Sequence, residues 1–320
     1  MATEEFSLGI RERFILAPES TYGTSVSLSA GYLVGHDIKV NPTFTQGFQE
    51  TKNNGTDTRL IKDKVAGPLS LAYALSFYPE SWRMLKYMFT IDSETGSDPY
   101  THTLSVGNTI TSFTAEWAKR HDTAPIIYKT VGNVINTFTI AFSKSNGEGN
   151  DGFITCTAAC ICKDYTQPAL EAGTFSLTGD PFQYRHFKAI LNTSEVVEIN
   201  SGELAFNQGI NPADSRYANT SLARTIGDPI PTIFRVTGRI NINLKDTTTA
   251  ALWATADALS GTNTIEFTQG AGNKITFTLT GVTCEPVPLS ETNVEGANTG
   301  DFIFTATGVV PVAIDAIANW

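Results

Sequence analysis

The chain of 320 residues reads TFTIAF at positions 137–142, with a large apolar residue at every second place. Three further stretches alternate in the same way, at 234–244, 275–280 and 302–307. A period of two places apolar side chains on one face of an extended strand and Thr or Asn on the other. Such half-buried strands, bounded by Gly, Asn and Asp, predict a mainly β, antiparallel protein of the sandwich or barrel type.

Composition agrees with this fold class and excludes several functions. Hydrophobic residues make up 41% and charged residues 17%, which is a globular balance. The chain has 32 acidic and 22 basic residues, so its formal net charge of −10 argues against a protein that grips nucleic-acid phosphates. The first residues form no apolar signal segment, and no run approaches the ~18 apolar residues of a membrane span.

Two segments break the two-residue period and are predicted to be short helices. In residues 79–89, Pro79 and Glu80 suit a first turn, because Pro has no N–H to lose there and Glu favours the positive end of the helix dipole. In residues 246–259, the apolar residues recur at helical spacing and Gly261 follows as a stop signal. The residues expected to anchor these helices in the core are Trp82, Leu85, Trp253 and Leu259.

The helices expose an internal repeat. Gly67 precedes Trp82 by 15 positions, and Gly238 precedes Trp253 by the same spacing. Three more blocks match in the same order, namely 46–47 with 208–209, 137–140 with 276–279, and 153–154 with 302–303. We therefore predict two tandem β-sandwich domains, 1–170 and 180–320, each with one short flanking helix. The alternative is that Thr-rich β sequences resemble each other without a duplication.

No pattern for catalysis or cofactor binding stands out. Cys156, Cys160 and Cys162 fall on one face of a strand, where small buried thiols are the expected interpretation and a metal or redox role is the alternative. The four His residues are scattered, and no nucleophile, zinc or phosphate-loop motif is present. We predict no enzyme activity, no metal and no cofactor.

Residues 45–64 are predicted to form a long loop or an extended hairpin arm. One interpretation is a mobile surface loop; the other is an arm that reaches a neighbouring subunit, since loops of this length are uncommon without a function. The candidate arm residues are Thr51, Lys52, Asn53, Asn54, Gly55, Thr56, Asp57, Thr58, Arg59 and Lys62.

The segment 19–24, ESTYGT, resembles the opening of the tail tube proteins of long-tailed phages. The segments 100–104 and 131–136 also resemble strands and turns of that family, so the resemblance covers about residues 8–165. It implies a virion structural protein whose copies assemble into stacked rings. Rings of six domains are the habit of the family, so duplicated chains would form a trimer, with a hexamer as the alternative.

The resemblance also implies partners and a place. The homo-oligomer would contact other tail proteins, such as the tape measure, the tail terminator and the baseplate or tip. Viral DNA would pass through the lumen without being bound specifically. No membrane is expected among the partners of the protein. Polar Thr and Asn faces suit a water-filled wall, and acidic charge there would repel DNA.

A binding module is the competing function. Two tandem β-sandwiches also occur in carbohydrate-binding or adhesin-like proteins of a tail tip or cell surface, where exposed aromatic residues bind the ligand. Trp82, Trp117 and Trp253 are the candidates for that role.

Overall fold

The computed structural model describes residues 12–52, 61–119, 126–144, 152–170, 175–196, 199–212, 227–243, 258–285 and 299–320. Eighteen strands and a few helical turns are present in these residues. The strands of the N-terminal half are β1 Glu12–Pro18, β2 Tyr32–Leu33, β3 His36–Lys52, β4 Ile61–Tyr78, β5 Thr90–Gly96, β6 Tyr100–Val106, β7 Phe113–Lys119, β8 Ile126–Ser143, β9 Thr155–Cys162 and β10 Asp164–Thr166. Those of the C-terminal half are β11 Phe187–Leu191, β12 Ser194–Val196, β13 Ile199–Asn207, β14 Arg235–Asn243, β15 Ala258–Leu259, β16 Asn263–Thr268, β17 Lys274–Cys284 and β18 Thr299–Asp315.

The prediction of a mainly β, antiparallel protein is confirmed. The stretches 137–142, 275–280 and 302–307 lie in β8, β17 and β18, and residues 235–243 of the fourth stretch form β14. Burial follows the period of two. In β17, Ile275, Phe277 and Leu279 are buried, while the intervening Thr276 and Thr278 are not. Apolar side chains therefore line one face of the sheet, and their removal from water stabilises the strand in place.

The strands of the two halves pair in the same order. In the N-terminal half the order is β2-β1-β7-β8-β9-β4-β3. In the C-terminal half it is β12-β11-β16-β17-β18-β14-β13. Every pairing is antiparallel, and the strands so matched also follow one another in the same sequence order. Thus β3 takes the place of β13, β8 that of β17, and β9 that of β18.

The two halves are joined by a seam between β8 and β13. Seven residue pairs run from Ser143↔Ser201 to Thr137↔Asn207, so one continuous sheet of eight strands extends from β3 to β17. A second contact pairs β6 with the end of β18. Buried side chains of both halves belong to one hydrophobic cluster. The predicted boundary between residues 170 and 180 stays a prediction.

The first predicted helix is present but begins later than expected. A 3-10 turn spans Arg83–Leu85 and an α-helix, α1, spans Lys86–Phe89. The start at Pro79 is wrong because the backbone there bonds to the C-terminal half instead. The Pro79 carbonyl accepts the Phe182 N–H at 2.9 Å, and the Glu80 carbonyl accepts the Asn273 amide at 3.0 Å.

The second predicted helix is wrong at its end. Ala258 and Leu259 form β15, which pairs with Val282 and Thr283 of β17, so the sheet takes the residues that were assigned to the last helical turn. The rest of the segment, including Trp253, lies outside the described residues. Within the described ranges, no helix is both long and apolar enough to cross a membrane.

Candidate functional site

A long hairpin extends from one edge of the sheet. β3 and β4 pair continuously apart from bulges, as far as Lys52↔Ile61. β9 pairs only with residues 71–77 of β4, so residues 61–69 have β3 as their one described partner. Nine residues at about 3.3 Å each give this extension a length of about 30 Å. Phe48 on it is 61% exposed, although large aromatic side chains are usually buried.

Three of the predicted arm residues are described, and they lie toward the far end of this hairpin. Thr51 and Lys52 end β3, and Lys62 lies near the start of β4. The remaining candidates, Asn53 to Arg59, lie outside the described residues. The predicted helix anchors lie elsewhere: Trp82 and Leu85 are buried beside α1, and Leu259 is buried in β15. The arm and the anchors therefore do not form one site.

The face of the eight-stranded sheet that points away from the core is mainly polar, with Ile303 of β18 as an exposed apolar exception. In the N-terminal half it carries small residues such as Thr137, Thr139 and Thr157, none of them buried. In the C-terminal half a row of side-chain hydrogen bonds crosses β13, β14 and β18. The Asn200 amide donates to Asn241 at 3.0 Å, and the Asn241 amide donates to Asp301 at 2.9 Å.

Charges of both signs lie on this face. Arg239 forms an ion pair with Asp301, and this guanidinium holds the pKa of the Asp301 carboxyl below its ordinary value. Glu203 is an exposed neighbour of Arg239 across the β13–β14 pairing. The Lys39 ammonium on β3 lies 3.1 Å from the Asp37 carboxylate. Among the described residues the face is thus mixed in charge.

The motif at residues 19–24 has a folding role that the sequence did not reveal. The Glu19 carboxylate accepts the backbone N–H groups of Gly23 and Gly132, both at 2.9 Å. It also accepts the hydroxyls of Ser112 at 2.7 Å and Thr114 at 2.8 Å. One side chain thereby ties the loop after β1 to β7 and β8. Of these four contacts, the sequence could indicate only the local one, because Glu19 precedes Gly23 by four residues.

The buried His102 belongs to a polar cluster at the C-terminal end of the chain. Its Nδ1 lies 3.1 Å from the Asp92 carboxylate, and its Nε2 lies 2.8 Å from the Ile317 carbonyl oxygen. Its ring stacks on Trp320 with the centroids 4.2 Å apart. The Trp320 indole donates to Asp315 at 3.1 Å. Both ring nitrogens of His102 are engaged, so the geometry suits structural support and leaves neither free for substrate.

The thiols are part of the core. Cys156, Cys160 and Cys162 are buried in β9, and Cys284 is buried at the end of β17. Burial raises the pKa of the Cys160 thiol to about 12, so it stays protonated and unreactive near neutral pH. In the described part of the chain, no group of three or more His, Cys, Asp or Glu residues could hold a metal ion.

Two of the three tryptophans considered for sugar binding cannot stack on a ligand. Trp82 is 2% exposed and packs against Phe182 and Phe267 at 5.0 and 5.3 Å between ring centroids. Trp117 is 3% exposed and stacks on Tyr128. An open pocket of about 420 Å³ lies between α1, Gln208 and Phe234, and none of the described residues that line it has a titratable side chain.

Comparison with known proteins gives a match over most of the chain. The model of a family described as phage tail tube protein matches residues 9–301. This range includes both halves, whereas the resemblance noted in the sequence was clear only for the first. None of the curated proteins compared with the chain matches it.

Proposed function

We propose a function from the premise that this chain belongs to the phage tail tube protein family, and is therefore a structural protein of the virion tail. Its copies assemble with one another into stacked rings, and the stack forms the hollow tube through which viral DNA is delivered. The observation that carries the proposal is the continuous sheet that runs through both halves from β3 to β17, with a core face and a mainly polar face.

The two halves are proposed to be copies of one domain. Seven matched strands pair in the same order and follow the same sequence order, from β1 to β9 and from β11 to β18. If the halves were similar by chance, the order of the strands in the sheet and their order along the sequence would not both have to agree. Three chains would then supply six like units to a ring, with the seam between β8 and β13 standing in for a contact between single-domain subunits.

The polar face of the sheet is proposed to line the lumen. Thr and Asn side chains, such as Thr139 and Asn241, keep the wall hydrated. Because positive and negative side chains such as Arg239 and Asp301 neutralise each other locally, weak binding of DNA would follow from this neutralisation and not from repulsion by an acidic wall.

The tip of the β3–β4 hairpin is proposed to contact a neighbouring copy or ring. It extends about 30 Å beyond the part of β4 that β9 covers. The exposed Phe48 would be covered in such a contact. Heterologous contacts of this kind build rings and filaments without an energy source. Other tail proteins are expected at the two ends of the tube.

Negative-stain electron microscopy of concentrated purified protein tests the proposal. Rings or hollow tubes of uniform diameter support it. Compact monomers at every concentration and ionic strength would contradict it.

A further inference from the structure

An aromatic patch lies where the β3–β4 hairpin leaves the rest of the fold. It consists of Phe44 of β3, Tyr128 of β8 and Tyr165 of β10, whose ring centroids lie 5.0 to 6.3 Å apart. Tyr165 is 36% exposed, and Ile126, two residues before Tyr128 on the same face of β8, is 44% exposed. The buried Trp117 lies under the patch, 6.1 Å from Phe44. The aromatic patch is therefore an outward continuation of the core that water still reaches.

The chain enters β1 beside the aromatic patch. Glu12, the first residue of β1, pairs with Lys119 of β7, and Lys119 pairs with Ile126 of β8. Neighbouring strands lie about 5 Å apart, so the backbone of Glu12 lies about 10 Å from that of Ile126. Residues 1–11 lie outside the described residues. In extended form they span at most about 36 Å, which is enough to cross the patch.

The sequence of residues 1–11 suits this surface. Its large apolar residues stand at every second position, namely Phe6, Leu8 and Ile10. Phe14 and Leu16 of β1 are also at even-numbered positions, after the charged Glu12, and both are buried in the largest hydrophobic cluster. A period of two places such side chains on one face of an extended chain. We propose that residues 6–10 dock this apolar face onto the aromatic patch of the same chain.

The docking gives the base of the hairpin a second layer. Residues 61–69 of β4 have β3 as their one described partner, and a two-stranded hairpin alone is marginally stable in water. Apolar surface removed from water on the patch and on the segment stabilises the contact. Phe48 lies four residues, or about 13 Å, further out than Phe44, so it stays available for the contact between copies. The docking is intramolecular and does not depend on the proposed function.

Two variants of the N-terminal segment separate its faces. The triple change Phe6→Ala, Leu8→Ala and Ile10→Ala removes the apolar face. The matched control, Glu5→Ala, Ser7→Ala and Arg11→Ala, changes the same number of side chains on the opposite face. Hydroxyl-radical footprinting with mass spectrometry compares both with the wild type, in samples that sedimentation shows to be in the same assembly state.

We expect oxidation of Tyr165 to rise about threefold in the apolar-face variant, because a covered ring becomes accessible to water. In the control variant it should stay at the wild-type level. Ile233 in the C-terminal half is 68% exposed and serves as the internal reference in each sample. Unchanged oxidation of Tyr165 in the apolar-face variant, or an equal rise in both variants, would overturn the docking.

Cysteine cross-linking identifies the chain that supplies the segment. Leu8→Cys and Ser7→Cys are each combined with Tyr165→Cys, and the four native thiols are buried and do not compete. We expect a disulfide yield about fivefold higher for Leu8→Cys, since a disulfide needs Cβ atoms that face each other. Isotopically light and heavy copies are mixed before oxidation. Equal yields for the two pairs, or disulfides mainly between light and heavy copies, would overturn docking within one chain. If the apolar-face variant does not fold, this experiment decides.

Discussion

Phe138 and Phe206 lie opposite each other in register across the seam between β8 and β13, and each comes from a different half of the chain. Both are buried, at 1% and 0% exposure. The Phe206 ring also lies 5.1 Å from Phe89 and 5.5 Å from Phe277, measured between centroids. One aromatic side chain thus connects the first helix, the seam and the C-terminal half.

Removing the Phe206 ring should destabilise both halves of the chain in one transition. Phe206→Ala is expected to lower the free energy of unfolding by about 3–5 kcal/mol, because it removes a large buried side chain and leaves a cavity. Urea denaturation followed by fluorescence and circular dichroism measures the change. Val310→Ala, at a residue that is 42% exposed, is the control and should change stability by under about 1 kcal/mol. Two separate transitions in the variant would contradict a shared core.

Glu19→Gln tests the role of the ESTYGT segment in folding. The neutral amide keeps one acceptor oxygen but loses the charge-assisted bonds to the N–H groups of Gly23 and Gly132. We expect a loss of about 1–3 kcal/mol in the free energy of unfolding, measured in urea. Glu195→Gln, whose carboxylate is 52% exposed in an ion pair with Lys188, is the matched control. An equal and small effect of the two changes would refute this role.

The buried carboxyl of Asp315 is expected to make the stability of the protein depend on pH. Burial raises the pKa of its carboxyl, against the opposing effects of the Ile317 N–H, the Trp320 indole, His102 and Arg83. A raised folded-state pKa favours the protonated form, so this contribution is complete below the unfolded-state pKa of about 3.9 and is lost as pH rises through the folded-state pKa. The stability of the wild type relative to Asp315→Asn should therefore fall as pH is raised from 3 to 6. A difference that stays flat or grows would contradict this assignment.

Deletion of Thr51 to Thr58 tests the arm. The protein should stay folded, because the base of the hairpin keeps its pairing with β9 over residues 71–77. It should not polymerise, because the tip is proposed to contact a neighbour. Sedimentation and electron microscopy measure assembly, with Gly272→Ser as a control at a turn where no atom lies within 4 Å of an added Cβ. Normal tubes from the deletion would remove the arm from the account.

The sequence was informative where local periodicity decides the structure. Alternation at 137–142 and 275–280 predicts β8 and β17, since a half-buried strand needs a period of two. The alternation could not indicate with which partner strand, or in which register, each of these strands pairs. Thr137–Ile140 pairs with β13, whereas Thr276–Leu279 pairs with β16, so the matched blocks occupy corresponding strands at different positions.

Long-range contacts explain the other differences. The helix begins at Arg83 and not at Pro79 because Phe182 and Asn273, about 100 and 190 residues away, bind the preceding carbonyls. Leu259 is in a strand because β17 pairs with it. The donors that Glu19 binds are more than 90 residues distant, apart from Gly23. Local propensity cannot indicate such partners.

The number of chains in one ring tests the central claim most directly. Mass measurement of isolated rings, combined with rotational averaging of end-on tube images, gives both the chain count and the symmetry of the density. Three chains arranged as six similar lobes are the result that a duplicated tube domain predicts. Six chains in a ring of twelve lobes, or protein that never leaves the monomeric state, would contradict it.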